Sequence, residues 1–176
     1  MAKQELRLTG SGGQGVILAT IILSDIALQS GKYVAQSQAY GPEARGGLCK
    51  AEVVISDNEI GFTKVTNPTL LLALTQASLD EFGKTIDENC ILVSDSSLTI
   101  NGNVNTKNIY QYPILQTAKE KVGKGFVANI VAVGLLDKIL GLASEEVVKE
   151  TVLKYIPKGT EEINFKALEE GFNLYK

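Results

Sequence analysis

The sequence predicts an α/β protein: an open three-layer sheet, mostly parallel, with helices on both faces. Strand-like and helix-like segments alternate through the first half, a glycine-rich turn joins the first of each, and several helical stretches close the chain. The 176 residues, 44% hydrophobic and 21% charged, suit one domain over 1–176 with a sizeable core.

Gln4 to Thr9 alternates polar and apolar residues, with Leu6 and Leu8 on one face, and stops at Gly10, so it reads as a strand. Val16 to Leu28 places Ile17, Ile21, Ala27 and Leu28 in a mostly buried helix that ends at Ser30-Gly31, where glycine adopts the left-handed conformation. Tyr33 to Ala39 is β-prone. After the loop Tyr40 to Gly47, Leu48 to Ser56 alternates Cys49, Ala51, Val53 and Ile55 with Lys50 and Glu52, and turns at Asp57-Asn58. Asn67-Pro68 disfavours helix, and Thr69 to Thr75 reads as a buried strand because Ser78-x-x-Glu81 has the capping-box pattern of a new helix. Cys90 to Ser94 and Ile109 to Ile114 read as two more strands, with Asn101 to Asn108 as a surface loop between them. Helices are expected over Phe126 to Leu140, Glu145 to Tyr155 and Glu161 to Tyr175. The last two open on paired glutamates that complement the positive end of the helix dipole.

Composition narrows the chemistry. Lys plus Arg number 17 against 20 Asp plus Glu, a net charge of -3, which provides no field for nucleic acid or anionic lipid. The cluster Lys119, Lys121 and Lys124 reads as a solvated surface. Gly10 interrupts the start before an apolar stretch builds up, and Gly125 to Leu136 is too short for a bilayer, so a soluble cytoplasmic chain is expected. There is no histidine, which excludes imidazole as base, shuttle or ligand. Cys49 and Cys90 are the two cysteines, without a Cys-x-x-Cys, so this chain alone cannot supply the four thiolates of an iron-sulfur cluster. No metal site is expected, and both thiols read as small buried hydrophobes.

Gly10-Ser11-Gly12-Gly13-Gln14-Gly15 satisfies Gly-x-Gly-x-x-Gly between a strand and a helix, a Rossmann-like context. Amides at the helix start can hold a phosphate or carboxylate. Ser30 to Gln38 contains no acid for a dinucleotide ribose, and Val16-Ile17 stand where a P-loop needs Lys and Ser or Thr. The alternative is that the glycines serve close packing alone. Tyr40-Gly41-Pro42-Glu43-Ala44-Arg45-Gly46-Gly47 places an aromatic, an acid and a guanidinium in a second loop, expected at the same carboxyl edge of a parallel sheet. Arg45 can grip an anion or pair with Glu43 to shape the loop. Tyr40 can stack on a ligand or pack at the core's rim. Asn129, an amide inside an apolar helix, needs partners and is expected to tie that helix to a neighbouring loop.

The glycine turn followed by Val16, the Tyr-Gly-Pro-Glu-Ala-Arg-Gly-Gly loop, the Ile55-Ser56-Asp57 turn and Asn129 together resemble the gamma subunit of the 2-oxoacid:ferredoxin oxidoreductases, over most of the chain. The small subunit of indolepyruvate ferredoxin oxidoreductase shares the glycine turn, but Gly-Pro-Glu-Ala before Arg45 favours the 2-oxoglutarate or pyruvate type, with 2-oxoglutarate first. The resemblance implies a noncatalytic gamma chain that completes an enzyme converting a 2-oxoacid and coenzyme A to acyl-CoA, CO2 and reduced ferredoxin. It implies no cofactor on this chain. Thiamine diphosphate is expected on the alpha and beta chains, and Mg and the iron-sulfur clusters on partner subunits outside this chain, with a ferredoxin-like delta chain as a further partner and ferredoxin reached through the complex. The binding surface would comprise Gly10, Gly12, Gly13, Gln14, Gly15, Tyr40, Glu43, Arg45, Gly46, Gly47 and Asn129, shaping the access of coenzyme A as co-substrate. The rival reading is a stand-alone nucleotide-binding or regulatory Rossmann-like module. In isolation, a homodimer through surfaces meant for absent partners is also open.

Overall fold

The computed structural model describes residues 3–40 and 47–176, the side chains of Ala39 and Tyr40 excepted. Six strands form one sheet: β1 (Gln4–Ser11), β2 (Tyr33–Tyr40), β3 (Leu48–Ser56), β4 (Leu70–Ala73), β5 (Ile91–Asp95) and β6 (Ile109–Tyr112), in the order β2-β3-β1-β4-β5-β6. The sheet is mixed. β1 with β4, β4 with β5 and β5 with β6 are parallel, whereas β3 runs antiparallel to both β1 and β2. Too few residues separate Tyr40 from Leu48 for a parallel crossover, which needs a dozen or more, so β2 and β3 form a long hairpin. The hairpin brings Gly47, just before β3, to the carboxyl edge of β1, where the parallel pairing expected from sequence does not form; residues 41–46 of the connection lie outside the described residues.

Helix α1 (Val16–Gln29) packs against β1, β2 and β3. It stops where foreseen: Gly31 has φ 78°, and Lys32 N–H donates to the Ala27 carbonyl at 3.0 Å. Helix α2 (Gln76–Phe82) covers the opposite face. It starts earlier than expected. Thr75, not Ser78, is its cap: Thr75 Oγ1 accepts from Ser78 N at 3.2 Å, and Ser78 Oγ accepts from Thr75 N at 3.3 Å. That reciprocal pair ends the strand at Ala73 and displaces the expected Ser78-x-x-Glu81 box.

The expected strand over Ile109 to Ile114 also needs correction. It ends at Tyr112, and after Pro113 the chain enters helix α3 (Ile114–Gln116), which widens into a π-helical stretch (Thr117–Val122). Asp95 Oδ2 accepts the Leu115 amide at 2.8 Å and so fixes this helix start. The remaining helices are α4 (Ala128–Leu140), preceded by a 3-10 turn (Gly125–Val127), α5 (Glu145–Leu153) and α6 (Glu161–Leu174).

The larger core lies on the α1, α4 and α6 side. Leu6, Leu8, Val53, Ile55, Leu70 and Leu72 face it, while Leu71, Ala73 and Leu92 face the smaller core under α2. Helices α4 and α6 cross very closely: a Cβ on Gly134 would stand 2.5 Å from the Leu168 carbonyl oxygen, and one on Gly171 2.2 Å from that of Val131. Backbone cannot move aside as a side-chain tip can, so this crossing requires both glycines.

Candidate functional site at the carboxyl edge of the sheet

After β1 and β4 the chain turns to opposite faces, into α1 and α2. In an open α/β sheet the crevice beyond two such strand ends is where ligands bind. The glycine turn forms one side of it. Its shape follows from the sequence. Gln14 Oε1 accepts the Ser11 amide at 2.8 Å, and Gln14 N donates to the Ser11 carbonyl at 3.2 Å. This folded glutamine leaves no room at Gly10, where a Cβ would lie 2.4 Å from Gln14 Oε1. Gly13 and Gly15 have φ of 92° and 72°, in the left-handed region that disfavours a side chain.

Gly15 is the N-cap of α1. The helix opens with no side-chain cap and no acid in its first turn, unlike α5 and α6 with Glu145-Glu146 and Glu161-Glu162. Its positive pole is thus not neutralised by a carboxylate of its own. The start of α4 meets the same place. Asn129, on the first turn of α4 and only 6% exposed, donates from Nδ2 to the Gly15 carbonyl at 3.5 Å. A Cβ on Gly15 would fall 2.4 Å from that nitrogen. Helix α4 likewise has neither a side-chain cap nor a first-turn acid. The expected tie between Asn129 and a neighbouring loop is therefore present, and its partner is the glycine turn.

Gly47 joins the group through its carbonyl, which accepts the Gly12 amide at 3.0 Å. The structure thereby brings Gly10, Gly12, Gly13, Gln14, Gly15, Gly47 and Asn129 together. The Tyr40 side chain and residues Glu43, Arg45 and Gly46 lie outside the described residues.

Burial pushes the Cys90 thiol up to about 12, with Asp87 adding to the rise, and burial also raises Cys49. Among the described residues no group of His, Cys, Asp and Glu is arranged to hold a metal ion, and no helix is long and apolar enough to cross a membrane. Asp137 is pushed up to about 6 by burial, with the charge of Glu145 adding to it and the Ala143 amide and Lys138 opposing it. It stands eight residues beyond Asn129 on α4, roughly 12 Å along the axis at 1.5 Å per residue, so it does not reach the turn.

Sequence reasoning missed a buried ion pair beneath the smaller face. Arg7 Nε donates to Glu52 Oε1 at 2.7 Å, and its other nitrogens reach Thr85 Oγ1 and the Val65 carbonyl. Beside it, Glu5 accepts the Thr66 and Asn67 amides, which together with Lys3 hold its carboxyl below its ordinary value although burial opposes them. Cross-strand neighbours with opposite charges, Arg7 and Glu52, were the available signal, but reading it required the β1–β3 pairing.

The profile of the pyruvate ferredoxin/flavodoxin oxidoreductase family matches residues 5–174. The chain is 40% identical to the 2-oxoglutarate synthase subunit KorC of Methanocaldococcus jannaschii, over 99% of this chain and 95% of that one. It is 31% identical to the common gamma subunit of the pyruvate/ketoisovalerate oxidoreductases of Thermococcus kodakarensis, over 96% and 95%. The crystal structure of the keto/oxoacid ferredoxin oxidoreductase gamma subunit from Geobacter sulfurreducens PCA superposes with a TM-score of 0.86 at 38% identity, covering 99% of this chain and 97% of the other. With a family match spanning nearly every residue, the chain belongs to the pyruvate ferredoxin/flavodoxin oxidoreductase family, as a gamma subunit of a 2-oxoacid:ferredoxin oxidoreductase.

Proposed function

We propose that this gamma subunit serves an enzyme of the 2-oxoglutarate type, converting 2-oxoglutarate and coenzyme A to succinyl-CoA, CO2 and reduced ferredoxin, and that it contributes position rather than reactivity. The higher identity to a 2-oxoglutarate synthase subunit than to a pyruvate/ketoisovalerate subunit supports the substrate. The observation that carries the role is the glycine turn, with its uncapped, acid-free α1 start beside the equally acid-free start of α4. Such an end attracts anions, and coenzyme A is rich in phosphate. Arg45, in the sequence between β2 and β3, is a guanidinium of the kind that suits the same groups. Thiamine diphosphate, Mg and the iron-sulfur clusters belong to the alpha, beta and delta companions in this reading; they supply carbanion stabilisation and the path to ferredoxin.

The test is reconstitution of the complex with and without this chain, assayed for coenzyme A-dependent ferredoxin reduction with 2-oxoglutarate and with pyruvate. The proposal expects turnover only with the chain present and a large preference for 2-oxoglutarate. The Arg45→Ala complex should need more coenzyme A. Preference for pyruvate removes the substrate assignment, and turnover of either oxoacid by the chain alone removes the noncatalytic role.

A further inference from the structure

Asn101-Gly102 is the one Asn-Gly sequence in the chain. It lies in the connection between β5 and β6, where Asn101, Gly102 and Asn103 are all exposed. An asparagine followed by glycine is chemically labile. With no side chain on the following residue, its peptide nitrogen can reach the asparagine's own carboxamide carbon.

The local geometry favours that attack. Asn103 N donates to Asn101 Oδ1 at 3.2 Å, an Asx turn, and Val104 N donates to the Asn101 carbonyl at 3.4 Å. The Asx bond closes a ring of atoms that contains both Asn101 Cγ and Gly102 N, so the carboxamide is folded back over the peptide that would attack it. Among the described residues nothing accepts from the Gly102 amide, and a Cβ on Gly102 would meet nothing within 4 Å. The nucleophile is uncommitted and open to water. Asn103 provides the contrast within the same loop. It is equally exposed, but the next residue, Val104, is β-branched and its amide is already engaged. Asn67 precedes Pro68, which has no amide, and Asn129 and Asn164 lie within helices.

The amide that would leave is held by α2. Asn101 Nδ2 donates to Asp80 Oδ1 at 2.8 Å, the same oxygen that accepts Gln76 Nε2 at 2.9 Å. Gln76 Oε1 in turn accepts the Thr99 amide at 2.9 Å, and Gln76 Nε2 donates to the Thr99 carbonyl at 3.1 Å. These bonds tie the loop to α2 above Leu98, Ile100 and Val104, which pack on the smaller core. A carboxylate in place of the Asn101 carboxamide removes the donor to Asp80 and sets two like charges face to face.

We propose that Asn101-Gly102 is a self-modifying site, whose spontaneous deamidation turns the tie between this loop and α2 into a repulsion. Gly102 N gives its proton to solvent base and bonds to Asn101 Cγ; the Cγ–Nδ2 bond breaks, and ammonia leaves with a proton from water. Water then opens the cyclic imide. Breaking the new Cγ–N bond gives aspartate, and breaking the original peptide bond leaves the chain running through Cγ as isoaspartate. One water is consumed and one ammonia released, with no oxidant or reductant. The site is separate from the glycine turn, and its assignment does not depend on the substrate or on coenzyme A.

The experiment ages the purified full-length chain in water enriched in heavy oxygen, at neutral and mildly alkaline pH, both native and unfolded in guanidinium. Peptides are then mapped by mass spectrometry. The native chain should accumulate aspartate and isoaspartate at position 101, carrying the heavy oxygen and forming faster at the higher pH, while Asn103 stays intact. Freeing Asn101 costs one exposed hydrogen bond to Asp80, so the native rate should fall no more than about ten-fold below the unfolded rate. A native rate lower than that, or modification at 103 before 101, overturns the proposal. Gly102 has no positive φ and has room for a methyl, so Gly102→Ala keeps the fold and should largely suppress the reaction. An equal rate in that variant also overturns it. The second readout is the loop itself. Asn101→Asp should speed amide hydrogen exchange across 96–104 and leave α1 unchanged, and adding Asp80→Asn, which returns a donor to the pair, should restore the wild-type protection. Wild-type exchange in Asn101→Asp alone would mean that no tie was broken, which overturns the proposal as well.

Discussion

Replacing Gly15 with alanine asks whether the start of α1 is held by α4. The φ of 72° costs an alanine about 1–2 kcal/mol. The new Cβ would also lie 2.4 Å from Asn129 Nδ2 and 2.8 Å from its Cγ, and relieving such overpacking costs roughly 1–3 kcal/mol. Gly15→Ala should therefore lose about 2–5 kcal/mol. Asn129→Ala surrenders one long hydrogen bond of 3.5 Å and should cost about 1 kcal/mol. In the double variant the methyl enters the space Asn129 vacates, and the left-handed strain remains. The double loss should be smaller than the sum of the single losses by about 1–3 kcal/mol. Urea unfolding of the four proteins, with matching slopes, gives the coupling. Additive losses would show that the turn and α4 are not packed as described.

At the α4–α6 crossing, Gly171→Ala should destabilise by more than about 3 kcal/mol in the same assay, because its Cβ meets backbone 2.2 Å away and the helices must separate. A loss near that of a surface substitution would refute the close crossing. Asp137 has a folded pKa raised to about 6, above its ordinary 3.8, so the native state binds the extra proton. Its contribution to stability is therefore fullest at low pH and declines as pH rises from about 4 through about 6. Asp137→Asn should flatten the stability profile across that window, and an unchanged slope in unfolding titrations would contradict the burial of Asp137 as its cause.

The glycine turn and its flanks were legible because local rules decide them: strict alternation in β1, an apolar helix over α1, and glycine where φ is positive. The start of α2 was less legible because Thr75 and Ser78 are both capping residues, and the competition is settled by which hydroxyl reaches which amide. The helix after Pro113 was hidden because Ile114, which completes an apolar run with Ile109, is placed by the long-range bond from the Leu115 amide to Asp95. The antiparallel course of β3 was available from the short connection after Tyr40 but was overridden by the α/β pattern around it. The Arg7–Glu52 pair, 45 positions apart, becomes visible only once register is known.

The most direct measurement of the central claim uses charge at Gly13, an exposed position with φ 92° where an added Cβ would meet nothing within 4 Å. Asparagine and aspartate both tolerate that conformation and have the same shape, so they differ by one negative charge. If the turn receives phosphates of coenzyme A, a carboxylate a few ångströms away opposes binding by about 1–2 kcal/mol. The reconstituted Gly13→Asp enzyme should then show a KM for coenzyme A roughly five- to thirty-fold above that of Gly13→Asn, with the KM for 2-oxoglutarate the same in both. Equal KM values for coenzyme A in the two variants would contradict the claim.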